Sequence, residues 1–256
     1  MEFRERLRAG EPVVGNWLTL SDPAVGEISA GLGFDFVVVD TEHSPSNLET
    51  VTNVIRGVEA AGDTAPLVRV PWNDHVRIKR VLDVGPAGLM SPMVDTAAEA
   101  ESFVEAARYP PEGRRGVAGA RAADYGLDFP DYVERANDEL VLVTQIESET
   151  AVENAGDIAA VDGIDALFVG PADLSTALGD LGGYYDDRFV DAVERVLDAA
   201  HAEGVPVGTL ATSEDLVERW AELGYDYQLV GVDANYVVEG SQRAKSTYED
   251  LMDERE

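Results

Sequence analysis

The feature that most constrains this chain is a repeated alternation of short apolar runs with longer segments whose apolar residues recur at helical spacing. The runs fall at 12–18, 34–40, 66–70, 87–90, 140–146, 166–169, 206–211 and 227–230, with helical patterns such as 48–61, 97–108, 188–202 and 213–223 between them. Such alternation is the mark of βα units around a parallel sheet, and about eight units in a chain of 256 residues is the number that closes a (β/α)8 barrel. A doubly wound open sheet would alternate in the same way. Asp, Ser or Asn opens several helical segments as an N-cap, and Gly62, Gly204 and Gly224 follow the last periodic residue as helix C-terminal glycines. No Pro/Gly/Ser-rich linker divides the chain, so residues 1–256 read as a single α/β domain.

The placement of polar residues decides for the barrel. Followed to its C-terminal end, successive strand segments reach Trp17, then Asp40 with Glu42 and His43, then Arg69, then Gln145 with Glu147, then Asp173. In a barrel these ends converge on the one face where catalytic residues sit. Any one of them alone is more simply a cap or a surface residue. Their recurrence at equivalent positions points to a site.

Composition removes other functions. The chain carries 50 acidic against 19 basic residues, a formal charge of −31, so its surface repels nucleic acid and anionic membranes. The excess is spread along helical segments, and Lys79 and Lys245 are the only lysines, a pattern that suits a halophile's salt-rich cytoplasm. The absence of cysteine excludes disulfides, thiolate catalysis and Cys-based zinc sites. The charged first residues and the lack of any stretch of membrane-spanning length point to a cytoplasmic protein.

Glu147 and Asp173 each follow an apolar strand segment, and two hard oxygen ligands suit Mg2+ or Mn2+, although either carboxylate could merely cap a helix. A Schiff-base mechanism needs a desolvated lysine near a strand. Lys79 lies in a helical pattern and Lys245 near the C-terminus, so carbonyl chemistry here calls for a metal as electron sink. His43 directly follows an apolar strand, where an imidazole can move protons near neutral pH; His75 and His201 fall in helix-like, solvated segments. Arg69 suits an anionic group or a developing oxyanion, or is a buried ion-pair partner.

Together the segments GNWL (15–18), DTEHSP (40–45), VRVP (68–71), LDVGPAGLMSP (82–92), QIES (145–148) and FVGPADLS (168–175) resemble the HpcH/HpaI aldolase family, metal-dependent aldolases acting on 4-hydroxy-2-oxoheptanedioate and 2-dehydro-3-deoxyglucarate. The resemblance covers most of the chain. It implies a TIM barrel of the phosphoenolpyruvate/pyruvate type, with a divalent metal (Mg2+, Mn2+ or Co2+) held by Glu147 and Asp173 and no organic cofactor. Pyruvate would chelate that metal and contact Gln145 and the Ala172 backbone. His43 matches the base, acting through water, Asp83 the acid that raises its basicity, and Arg69 the residue that stabilises the enolate. Trp17 would wall the pocket. The substrates implied are pyruvate and an aldehyde.

The loop 118–129 falls where the family uses a segment near the site, and residues 184–188 either shape the aldehyde side or cap a helix. The helical stretch after the eighth strand is expected to pack on a neighbouring subunit, giving a homo-oligomer, a hexamer of three dimers. A CoA-thioester lyase of the citrate lyase β-subunit and malyl-CoA type is the alternative enzyme, and a barrel that binds a small acid without catalysis is the other. The first would need a basic strip for the CoA arm, which the sequence does not offer; the second would have no need of His43 and Asp83.

Overall fold

The computed structural model describes residues 2–254, in which eight parallel strands close on themselves in sequence order. They are β1 (Val13–Leu18), β2 (Phe36–Asp40), β3 (Ala65–Arg69), β4 (Gly88–Ser91), β5 (Val141–Ile146), β6 (Ala166–Val169), β7 (Val207–Leu210) and β8 (Tyr227–Val232), each within two residues of the run read from the sequence. The pairing of β8 with β1, through Val13↔Tyr227 and Gly15↔Leu229, excludes the open sheet.

The helices are α1 (Glu2–Arg8), α2 (Pro23–Gly31), α3 (Leu48–Ala61), α4 (His75–Leu82), α5 (Ala97–Ala107), α6 (Phe129–Glu139), α7 (Glu149–Glu153), α8 (Ala155–Ala159), α9 (Pro171–Ala177), α10 (Asp187–Ala202), α11 (Glu214–Leu223) and α12 (Asp233–Asp253). Side chains of Asn47, Asp74, Thr96, Ser148 and Ser213 accept an otherwise orphaned N–H at the start of α3, α4, α5, α7 and α11. Each cap contributes about 1 kcal/mol. Gly204 and Gly224 end their helices in the left-handed region, at φ 71° and 92°. Gly62 does not: at φ 173° it is extended, because α3 runs out directly toward β3 without a reversing turn.

Two apolar layers hold the barrel. One lies between strands and helices, and the other fills the lumen with Trp17, Phe36, Val38, Leu67, Met90, Phe168 and Tyr227. Lumen rings of this size need room. A Cβ on Gly15 would stand 2.5 Å from the Phe36 ring and one on Gly208 2.2 Å from that of Tyr227, so glycine at these strand positions lets the rings in.

The N-terminal mouth is plugged by α1, whose Leu7 is buried and whose Phe3 ring lies 5.3 Å from Phe36. Its Arg4 donates to Asp165 at 2.9 Å and its Arg6 to Asp35 at 2.6 Å. At the opposite mouth Asp233 accepts from the Thr19 and Leu20 N–H groups, both at 2.9 Å, tying the end of β8 to the end of β1.

Candidate active site

The strand ends converge as the sequence reading requires. Trp17 from β1, Arg69 from β3, Gln145 from β5, His43 after β2, and Ala172 and Asp173 after β6 line one cavity of about 180 Å³ at the C-terminal mouth. A larger groove of about 710 Å³, between α3 and α4, collects none of these groups. Size therefore does not locate the chemistry; convergence of polar strand ends does.

Arg69 is buried and held from two sides. Its Nε and one terminal nitrogen donate to the Asp40 carboxylate, each at 2.9 Å, and the other terminal nitrogen lies 2.7 Å from Glu42. The guanidinium also stacks 4.6 Å from the Trp17 ring centre. The ion-pair reading of Arg69 thus holds, and the pairing fixes the planar fork against the cavity. Burial raises the Glu42 carboxyl above its ordinary value, with Arg69 and His43 pulling the other way.

Glu147 follows β5 and is only 5% exposed. One of its oxygens accepts from the Met93 N–H at 2.6 Å and the other from the Gln145 amide at 3.3 Å. Met93 adopts φ 52°, unusual for a residue with a side chain, and that turn aims its N–H at the carboxylate. Burial foremost, then the charges of Asp173 and Glu42, push the Glu147 carboxyl up to about 7 against the Met93 hydrogen bond. Helix capping does not explain this residue, since Ser148 caps α7. Nor does Asp173 cap: it lies in the first turn of α9, whose N-cap is Gly170.

These groups fit a hard divalent cation. Glu147 accepts from the Gln145 amide, Asp173 lines the same cavity, and Gln145 Oε1 is a buried acceptor with no hydrogen-bond partner among the described residues. Gly170 leaves the space open, because a Cβ there would come 3.1 Å from the Glu147 carboxylate and 3.4 Å from the Gln145 amide. Among the described residues no three His, Cys, Asp or Glu side chains gather as a ready cage, so a cation here would take its remaining ligands from substrate and water. Lys79 lies on α4 and Lys245 on α12, where it pairs with Glu249; neither lines the cavity.

His43 lines the cavity with its side chain 69% exposed, 3.8 Å from Glu42. Asp83 is not beside it. It closes the C-terminus of α4, at the N-terminal side of the barrel, 3.6 Å from Arg115, and burial raises its carboxyl. The loop 118–129 is there too, with the Ala122 N–H on the Asp83 carbonyl and Arg121 on that of Val84. A helix that precedes a barrel strand ends at the mouth opposite the site, so one chain keeps Asp83 and His43 apart. His75 is exposed on α4, whereas His201 is engaged, 2.8 Å from Asp226.

Tyr184, from the segment 184–188, lines the cavity, whereas the roles of Met93 and Gly170 were not assigned from the sequence. A backbone donor and a missing side chain leave no motif, although the glycine of GPAD is a visible cue that backbone approaches closely.

A parallel (β/α)8 barrel with a carboxylate pair, an immobilised arginine and a histidine at its C-terminal mouth defines an enzyme class that handles small oxo acids. The chain matches the HpcH/HpaI aldolase/citrate lyase family over residues 14–240 and belongs to it. It is 43% identical over 239 residues to a 4-hydroxy-2-oxovalerate aldolase of Novosphingobium aromaticivorans, covering 93% of this chain and 91% of that one. It is 41% identical over 241 residues to a 4-hydroxy-2-oxo-heptane-1,7-dioate aldolase of Salmonella dublin, covering 94% and 91%. The crystal structure of an HpcH/HpaI aldolase/citrate lyase family protein from Burkholderia cenocepacia superposes with a TM-score of 0.93 at 36% identity, over 97% of this chain and 99% of that one.

Proposed function

We propose that residues 1–256 form one catalytic domain, a metal-dependent class II aldolase that reversibly cleaves a 4-hydroxy-2-oxo acid to pyruvate and an aldehyde. The observation that carries this reading is Glu147. A buried carboxyl pushed up to about 7, next to Asp173 and an unpaired amide oxygen, is a group whose burial a divalent cation would offset. The relatives in Novosphingobium and Salmonella are both named for 4-hydroxy-2-oxo acids, which supports the same reaction here.

Glu147 and Asp173 would hold Mg2+, Mn2+ or Co2+, and a cation bound there supplies Lewis-acid stabilisation of enolate charge. His43, through a water, takes the proton of the C4 hydroxyl in cleavage; the C3–C4 electron pair passes into the enolate and the aldehyde leaves. Arg69 meets the developing oxyanion with the donors that Asp40 and Glu42 leave free. Gln145 and the Ala172 backbone orient the pyruvate unit, and Trp17 closes the wall. Protonation of the enolate at C3 completes pyruvate.

The same reading includes assembly. From Tyr236 onward α12 is almost wholly exposed, carrying Tyr236, Val237, Val238, Tyr248 and Leu251 into solvent, while β8, unlike β2, β3 and β5, is only partly buried at every second residue. Both features support a C-terminal helix that packs on a neighbouring subunit in a closed oligomer, a hexamer of three dimers. Asp83 and the loop 118–129 would then reach a His43 only across a subunit boundary. The acidic excess suits a salt-rich cytoplasm, and no helix among the described residues is long and apolar enough to cross a membrane. Incubation of pyruvate with an aldehyde panel and Mg2+ or Mn2+ tests the reaction: 4-hydroxy-2-oxo acids should form, and no product from any aldehyde would overturn it.

A further inference from the structure

We infer that the far side of the cavity selects a short, uncharged aldehyde, and that Tyr184 sets this choice by offering its hydroxyl to the aldehyde's distal end. The inference rests on the aldolase reading above. Beyond the residues that would hold pyruvate, the wall is made by Trp17, Leu210 and Leu216, with Tyr184 and Thr212 as its hydroxyl-bearing members. Among the described residues it is a largely apolar surface with two hydroxyls and no arginine or lysine of its own.

Tyr184 is fixed in place. Its ring centre lies 5.5 Å from that of Phe189 and 5.6 Å from that of Trp220, and Trp220 is itself anchored by donating to the Leu210 carbonyl at 3.0 Å. The loop that carries it is pinned where the Gly182 N–H meets Ser175 at 3.2 Å and Arg188 donates to the Leu178 carbonyl at 2.6 Å. A half-buried phenol held by two rings is a preorganised donor.

Charge argues in the same direction. Among the described residues Arg69 is the one arginine or lysine that lines the cavity, and its charge is already countered by Asp40 and Glu42, its remaining donors serving the pyruvate unit in the aldolase reading. Arg219, on the helix behind the wall, instead stacks 5.3 Å from the Tyr185 ring. Asp173 stands in the cavity, and Asp180 and Asp186 lie on the loop that bears Tyr184, close enough that Asp180 raises the Asp186 carboxyl. Within one chain, a carboxylate on the aldehyde would meet anions without an uncommitted arginine or lysine. The cavity of about 180 Å³ also lies below the roughly 300–1,000 Å³ of pockets that take drug-sized ligands, which restricts the aldehyde to a few carbons.

In the addition direction, pyruvate gives up a C3 proton to form the enolate, C3 bonds to the aldehyde carbon, and the aldehyde carbonyl electron pair moves to its oxygen, which takes a proton. Tyr184 exchanges nothing and only binds.

The test compares matched aldehydes on the Mg2+-loaded enzyme with pyruvate. Butanal and succinic semialdehyde have the same chain length and differ in charge; acetaldehyde and glycolaldehyde differ by a hydroxyl. Expected are a kcat/KM for butanal on the order of 100-fold above that for succinic semialdehyde, and a fall of roughly threefold to tenfold in the glycolaldehyde-to-acetaldehyde ratio in Tyr184→Phe. Leu216→Arg should raise succinic semialdehyde relative to butanal. Equal use of butanal and succinic semialdehyde by the unmodified enzyme overturns the inference, as does an unchanged ratio in Tyr184→Phe. Deuterium exchange into the pyruvate methyl group, followed in the same samples, separates the two levels: if exchange persists, only the aldehyde assignment falls, and if exchange is absent, the aldolase reading falls with it.

Discussion

Arg69 and Asp40 are register partners on adjacent strands, and they join through two parallel hydrogen bonds of 2.9 Å at the floor of the cavity. The pair separates two roles that one substitution would confuse. Asp40→Ala leaves a buried guanidinium without its fork and should cost about 3–5 kcal/mol of stability. Arg69→Lys keeps a charge beside Asp40 but loses the planar fork, so it should lower turnover at least ~100-fold with a smaller loss of stability. Urea melts and steady-state rates on both variants check the split.

His43 is expected to act mainly in the transition state. His43→Ala should reduce kcat for cleavage by about 100-fold to 10,000-fold while changing pyruvate affinity little. Pyruvate titration alongside turnover reads both quantities. An unimpaired variant would assign the base elsewhere.

Glu147 gives a pH dependence of definite sign. Its carboxyl sits at about 7 in the fold against 4.5 for an unperturbed glutamate, so the folded chain binds the extra proton. That contribution to stability is fully present below 4.5 and is lost as pH rises through about 7. Chelated protein should therefore be more stable at pH 6 than at pH 8, by an amount on the order of 1 kcal/mol. Cation affinity moves the opposite way, weakening as pH falls through 7 because the proton competes for the ligand. Thermal melts with EDTA and with Mg2+ at both pH values should show the two trends crossing.

Much of the barrel was legible because its signal is local. Apolar runs such as 166–169 and 36–39 are covered by helices outside and by lumen side chains inside, and burial on both faces writes itself as an unbroken apolar run. The site was legible as far as it depends on strand ends: Trp17, His43, Arg69, Gln145, Ala172 and Asp173 meet in one cavity, with Glu147 hydrogen-bonded to Gln145 beside it. What depends on chain reversal or on a second copy was not. Asp83 carries no local sign of the barrel mouth it faces, the φ of 52° at Met93 is a tertiary outcome, and the extended Gly62 looks in sequence like the left-handed Gly204 and Gly224.

Assembly should depend on salt. The exposed residues of α12 supply apolar contact area, while the formal charge of −31 opposes association when screening is weak. Light scattering at molar and millimolar salt should show an oligomer in the first and its dissociation in the second, with loss of activity. A monomer fully active in molar salt would contradict it.

The central claim, that this barrel makes a pyruvate enolate with the help of a divalent cation, is tested most directly by proton NMR of the pyruvate methyl signal in D2O. With Mg2+ the signal should fade as deuterium enters, stop fading after exhaustive EDTA treatment, and fade again when Mg2+ is restored, while borohydride traps no covalent pyruvate adduct. Exchange that continues at the full rate in the chelated enzyme would contradict the account.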